Sequence, residues 1–147
     1  MKEIKIIESL PVERWGEYKN LYLEMVKGEP LAFSETLDET LKTKDDEWEK
    51  ELQEALDKKS VLIFAEHDGI LIGMGGASFH RLEKMKHNAF LSSLYVNHEF
   101  RGLGIGKQII EKREELILQH GGIKNIFCEI IETQIASIEL HKKLGFE

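Results

Sequence analysis

The chain has a single cysteine, Cys128, and only two prolines, Pro11 and Pro30. One cysteine excludes a disulfide within the chain and gives no sign of secretion. It also leaves the six histidines short of partners, and no two of them stand at the helical spacing of metal ligands. No metal site is expected. Long apolar runs are missing too, so no segment has the length of a membrane span. Met1-Lys2-Glu3-Ile4-Lys5 leads into no apolar stretch of the kind a signal peptide requires. A cytoplasmic location is the default expectation. Positive charge is scarce: 20 Lys and Arg stand against 27 Asp and Glu, a net charge of −7. A nucleic-acid partner would demand a basic surface and is disfavoured. A cationic substrate is compatible with this balance, although ordinary cytosolic proteins often share it.

What is present describes one globular domain. Hydrophobic residues make up 41% and charged residues 32% of 147, enough for a real core in a soluble fold. No repeat, low-complexity tract or linker divides the chain. Ile4, Ile6 and Ile7 mark a short first strand. Pro11 favours a helix start, and Trp15, Tyr18, Tyr22 and Met25 recur at helical spacing until Gly28-Glu29-Pro30. Leu31 to Thr43 reads equally as a loop or a short helix. Asp45 to Lys58 reads as an acidic helix with Trp48, Leu52, Ala55 and Leu56 inward. Val61 to Glu66 and Ile70 to Phe79 are strands joined at His67-Asp68-Gly69, where the Asp-Gly pair predicts a hairpin.

Gly73, Gly75 and Gly76 interrupt the second of those strands and predict a bulge or a close approach by another group. Beyond the polar stretch Arg81 to Asn88, Ala89 to Val96 is a further strand. A helix to about His120 carries Ile109, Ile110, Leu116 and Ile117 inward, and Gly121-Gly122 suits its C-cap. A strand from Ile123 to Ile131 and a helix from Ile135 to Leu144 complete the order. Antiparallel hairpins followed by a strand–helix–strand unit make this one α/β domain.

Between the strand ending at Val96 and its helix lies Arg101-Gly102-Leu103-Gly104-Ile105-Gly106-Lys107. Glycines let the backbone approach a ligand closely, and a helix start offers unpaired N–H groups and the positive end of the dipole. Together these form an anion site, most often for phosphate. A P-loop would need glycine at Arg101 and Ser or Thr at Gln108, and a dinucleotide fingerprint would need glycine at Lys107 or Ile109. Both patterns fail. On the residues alone, a plain connecting turn stays open beside the anion site.

Leu94-Tyr95-Val96, four residues of turn, then Arg101-Gly102-Leu103-Gly104-Ile105-Gly106 resembles the acyl-CoA loop of the GCN5-related N-acetyltransferases (GNAT superfamily). That loop reads Arg or Gln, two residues, Gly, one residue, then Gly or Ala. A second block, Gln134-Ile135-Ala136-Ser137-Ile138-Glu139-Leu140-His141-Lys142-Lys143-Leu144-Gly145-Phe146, is similar to the late helix of that family, in the same order and at the same spacing. The resemblance implies a mixed, largely antiparallel central sheet flanked by helices, with central strands that splay to admit the cofactor. Residues 1–147 would form a single N-acetyltransferase domain. It also implies transfer of an acetyl group from acetyl-CoA to a primary amine of a small molecule or peptide.

In that reading the N–H groups from Arg101 through Gly102, Leu103, Gly104, Ile105 and Gly106 to Lys107 hold the CoA pyrophosphate, with the Arg101 and Lys107 side chains assisting. Leu94, Tyr95 and Val96 pair with the pantetheine amides. Gln134, where the family usually has Asn, and Ser137 and His141 lie on the late helix as further cofactor contacts. Direct attack by the amine needs placement above all, with a backbone donor at the developing oxyanion worth about 3 kcal/mol.

The family often places a tyrosine acid on the late helix. The matching residue here is His141, whose reference pKa suits proton transfer at neutral pH. Tyr95 is a second candidate acid, although strand alternation points it toward the core. Ser92 and Ser93 stand where some members carry a glutamate base, so a base acting through water is implied, with Glu129, Glu83 or Glu35 as candidates. Absence of a competent acid or base would instead imply a non-catalytic acetyl-CoA-binding regulatory module on the same fold.

The acceptor pocket is shaped in this family by the segments corresponding to Gly28 to Thr43 and Arg81 to Asn88, and by one or two later strands. This sequence ends at Glu147, before those strands. Either the protein is short or its natural end lies further on. If it is short, an exposed sheet edge would favour a homodimer.

Overall fold

The computed structural model describes residues 3–28, 36–79 and 88–127, together with 142, 143 and 145. The described strands form one five-stranded sheet in sequential order. They are β1 (Ile4–Ile7), β2 (Ser60–His67), β3 (Ile70–Phe79), β4 (Asn88–Val96) and β5 (Asn125–Phe127). Neighbours are antiparallel from β1 to β4, and β5 lies parallel to β4, with Asn88, Ala89 and Phe90 opposite Asn125, Ile126 and Phe127. The helices are α1 (Trp15–Gly28), α2 (Leu37–Leu41), α3 (Asp45–Leu56) and α4 (Ile105–His120). A parallel neighbour requires a crossover, and α4 supplies it. This is the mixed, mainly antiparallel α/β architecture expected from the sequence. The splay expected of the central strands lies outside the described residues.

Strand alternation divides the core into two layers. On β2, Leu62 and Phe64 face α1 and α3, while Val61, Ile63 and Ala65 face α4. A period of two sends successive side chains to opposite faces, so a run apolar at every position is buried on both sides. The first layer centres on Tyr18, whose ring meets Trp48 edge-on at 5.2 Å and Phe64 at 5.6 Å. The second is built on α4, where Ile105, Ile109 and Ile117 recur every four residues or a multiple of four.

Local chemistry accounts for the element ends. Pro11 precedes a 3₁₀ turn, Val12–Arg14, that runs into α1, as its fixed φ favours. Within the stretch that the sequence left open, Thr36 caps α2 by accepting from the Glu39 N–H at 3.1 Å. Asp68 and Gly69 both adopt positive φ, 53° and 80°, in the two-residue turn joining β2 to β3. Gly121, at φ 82°, closes α4.

Two inward assignments change. Leu56, expected on the inner face of α3, is 40% exposed, because it is the last residue of the helix and the packed stripe ends at Ala55. Leu116 is only partly buried, whereas Arg113 is buried at 1% exposure. Arg113 occupies the four-residue stripe between Ile109 and Ile117, and the sequence reading passed over it because of its charge. No described helix is long and apolar enough to cross a membrane.

Candidate functional site

The strand β4 leads through Asn97 and the 3₁₀ turn His98–Phe100 to the glycine loop and α4. Asn97 anchors this passage at three points. Its N–H donates to the Ile72 carbonyl at 2.8 Å, continuing the β3–β4 pairing. Its side-chain oxygen accepts from the Glu99 N–H at 2.9 Å, and its amide donates to Glu24 of α1 at 2.8 Å. The loop that follows therefore starts from a fixed point.

Gly102 and Gly104 both sit at φ +79°, a left-handed conformation that costs other residues about 1–2 kcal/mol. A Cβ at either would meet no atom within 4 Å. Backbone conformation, not crowding, thus selects glycine here, and the space beside the loop is open. Gly104 is the N-cap of α4 and has no side chain with which to cap it. The first intrahelical bond runs from the Gln108 N–H to the Gly104 carbonyl at 3.1 Å. The N–H groups of Ile105, Gly106 and Lys107 precede that bond, and the first turn contains no acidic side chain. An uncapped helix start facing open space favours an anion through both donors and dipole.

The other predicted loop residues divide by side chain. Leu103 is 57% exposed, whereas the Ile105 side chain is buried under the sheet, leaving only its N–H for a ligand. Arg101 does not extend from the loop. Its Nε donates to the Val96 carbonyl at 2.8 Å, and its guanidinium lies 5.8 Å from the centre of the Tyr95 ring. It ties the loop back to the end of β4. Lys107 is exposed and stands 3.8 Å from Glu111, a surface pair of little strength.

On β4, Leu94 and Val96 pack toward α4 while Tyr95 is buried in the opposite layer, as alternation suggested. Ser92 is exposed. The strand is irregular where the glycines of β3 predicted it. Met74 pairs with Tyr95 and Gly76 with Ser92, so Ser93 and Leu94 together span the length of Gly75 alone. This is a β-bulge, a device that re-aims backbone groups.

His141, Gln134 and Ser137 lie outside the described residues, as do Glu35, Glu83 and Glu129. Lys142 and Lys143 are helical and exposed. No group of three or more His, Cys, Asp and Glu among the described residues is placed to hold a metal ion.

A bulged strand feeding a glycine-capped helix start in a mixed, mainly antiparallel sheet is the class of arrangement that the described residues define. The model of the acetyltransferase (GNAT) family matches residues 24–146, and the chain belongs to that family. It is similar to a thialysine N-epsilon-acetyltransferase of Bos taurus, 31% identical over 75 residues, 51% of this chain and 44% of that protein. The chain thus matches less than half the length of the curated relatives it resembles. The fold is shared with a GNAT-family acetyltransferase structure from Streptococcus pneumoniae, with TM-score 0.86 and 19% identity over 99% of this chain and 85% of that one. It is also shared with yncA of Salmonella typhimurium, solved with its cofactor acetyl-CoA, with TM-score 0.81 and 18% identity over 98% and 79% of the two chains.

Proposed function

We propose that this chain is an acetyl-CoA-dependent N-acetyltransferase acting on a primary amine of a small molecule or peptide. The observation that carries the reading is the uncapped start of α4, opening off the end of a bulged β4. Family membership and the fold shared with an acetyl-CoA complex support it.

The residues fit the donor. Ile105, Gly106 and Lys107 supply N–H groups for a pyrophosphate, and the glycines at 102 and 104 leave room for it. The edge of β4 from Leu94 to Val96 supplies backbone groups for the pantetheine amides. Acetyl-CoA supplies an activated thioester carbonyl. The bulge at Ser93 and Leu94 re-aims backbone groups toward the developing oxyanion. Arg101 and Asn97 fix the join between these two regions, which is the placement that direct attack requires.

His141 is assigned the proton delivered to the departing thiolate, on its place in the late block. Tyr95, buried in the α1 and α3 layer beneath Arg101, is the second candidate for that role. The acceptor class is an amine resembling the lysine side chain, which the relatives named for thialysine support.

The test is release of CoA, followed with a thiol reagent across a panel of primary amines that includes thialysine, lysine, polyamines and peptide N-termini. Acceptor-dependent release with at least one small amine is expected. Tight acetyl-CoA binding with no acceptor-dependent release would replace the enzyme by a binding module on the same fold.

A further inference from the structure

Gly75 stands at the crossing of two features. It is the single β3 residue opposite the two-residue bulge of β4. It is also where α4 leaves no room for a side chain: a Cβ there would lie 2.5 Å from Ile109 Cγ2 and 3.6 Å from Leu94 Cδ1. At Gly73, two residues earlier on the same face, a Cβ would lie 3.2 Å from Ile109 Cδ1 and 3.0 Å from the Tyr95 carbonyl oxygen. Ile109 is fully buried and lies one turn beyond Ile105, at the glycine-loop end of α4. Its side chain fills a hollow that exists only because β3 has no Cβ at these two positions. Glycine weakens a strand interior, and close packing of helix on sheet offsets that cost here.

The contact joins the two ends of the candidate site. Ile109 fixes the height of the first turns of α4, and so of the N–H groups at Ile105, Gly106 and Lys107. Gly75 backs the bulge, and so the backbone of Ser93 and Leu94. We propose that Gly75, with Ile109 seated against it, is a positioning device that sets the distance between the anion-binding end of α4 and the bulge of β4, keeping both ends of a bound acetyl-CoA in register. The proposal rests on the reading that the glycine loop receives the pyrophosphate of acetyl-CoA.

A spacer between two subsites has a signature that plain destabilisation lacks. Linked binding depends on the geometry between subsites, whereas binding at each subsite alone does not. In Gly75→Ala, the new methyl must push Ile109 and α4 away from the sheet. Affinity for acetyl-CoA, measured by calorimetry, should fall about tenfold. Affinities for phosphoadenosine diphosphate, the pyrophosphate-bearing fragment of CoA, and for acetyl-pantetheine, the other fragment, should both stay within about twofold of wild type. Adding Ile109→Leu, which removes the Cγ2 methyl, should restore acetyl-CoA binding; adding Ile109→Val, which keeps it, should not.

An unchanged acetyl-CoA affinity in folded Gly75→Ala, a parallel loss for either fragment, or failure of the leucine rescue would each overturn the spacer. If circular dichroism shows Gly75→Ala unfolded, Ile109→Ala removes the spacer from the other side. The same pattern is expected there, and unchanged acetyl-CoA affinity would overturn the proposal. Gly104→Asp reports separately on the underlying reading. If it leaves phosphoadenosine diphosphate binding intact, the loop assignment has failed; if it abolishes that binding while Gly75→Ala behaves as wild type, only the spacer has.

Discussion

Replacing Gly104 by aspartate separates folding from binding in a way the structure makes quantitative. Gly104 caps α4 at φ +79° and contributes no side chain to the three N–H groups behind it. The left-handed conformation costs a non-glycine residue about 1–2 kcal/mol, least for Asn and Asp. Relative to glycine, an aspartate N-cap returns only a few tenths of a kcal/mol by accepting from the helix. The backbone cost prevails, although open space at the Cβ adds no clash. Net stability should fall by about 1 kcal/mol, a drop in melting temperature of roughly 4 °C for a domain of this size.

Binding should not survive so well, because the carboxylate takes the donors meant for the pyrophosphate and repels it. Losing even one charge-assisted hydrogen bond removes about 1.5–3 kcal/mol, or roughly 10- to 150-fold in Kd. Thermal melting and calorimetry with acetyl-CoA and acetyl-pantetheine test both halves. Acetyl-pantetheine, which lacks the pyrophosphate, should bind as it does to wild type. A folded variant that binds acetyl-CoA within threefold of wild type would refute the assignment of the loop, as would equal weakening of both ligands.

Three further outcomes follow from the same contacts. Arg101→Lys keeps the charge but loses the Nε bond to Val96 and the planar cover over Tyr95; acetyl-CoA Kd should rise about fivefold, near 1 kcal/mol, and an unchanged Kd would remove Arg101 from the positioning of the loop. Phe64→Ala empties a fully buried site beside Tyr18 and should cost about 3–5 kcal/mol in urea unfolding, with a loss below 1 kcal/mol arguing against the packing described for the first layer. Glu17, hydrogen-bonded through both oxygens to Arg14, has its carboxyl held below the ordinary value of 4.5. A depressed folded pKa gives stability that is present above the ordinary value and lost as pH falls through the folded one. Glu17→Gln should therefore destabilise by less than about 1 kcal/mol at pH 7, the pair being partly exposed, and the gap should close in melts carried below pH 4; a gap that persists there would show that the ion pair is not its source.

Much of the fold was legible because it is written in short-range terms. A period of two or of about four residues, a proline before α1, an Asp-Gly turn and a glycine pair after α4 each act within one element. The loop was legible for the same reason, since Gly102 and Gly104 are demanded by their own backbone angles. The α2 helix was left open because it is short, and its cap, Thr36 with Glu39, is a weak pattern until the chain is seen to use it. Leu56 was misplaced because periodicity does not show where packing stops. Arg113 was missed because a charged residue at a core position is explained only by what surrounds it.

The sequence alone therefore determined the order and kind of most of the described elements, the glycine-capped start of α4 and the family, all of which depend on neighbours along the chain. It could not determine which way Arg101 turns, or that the irregularity foreseen at the β3 glycines is two residues of β4 set against Gly75 alone. Nor could it pair Gly75 with Ile109. These depend on groups that meet only when helix and sheet pack at fixed distances, and only the tertiary structure decides which atoms then share a space.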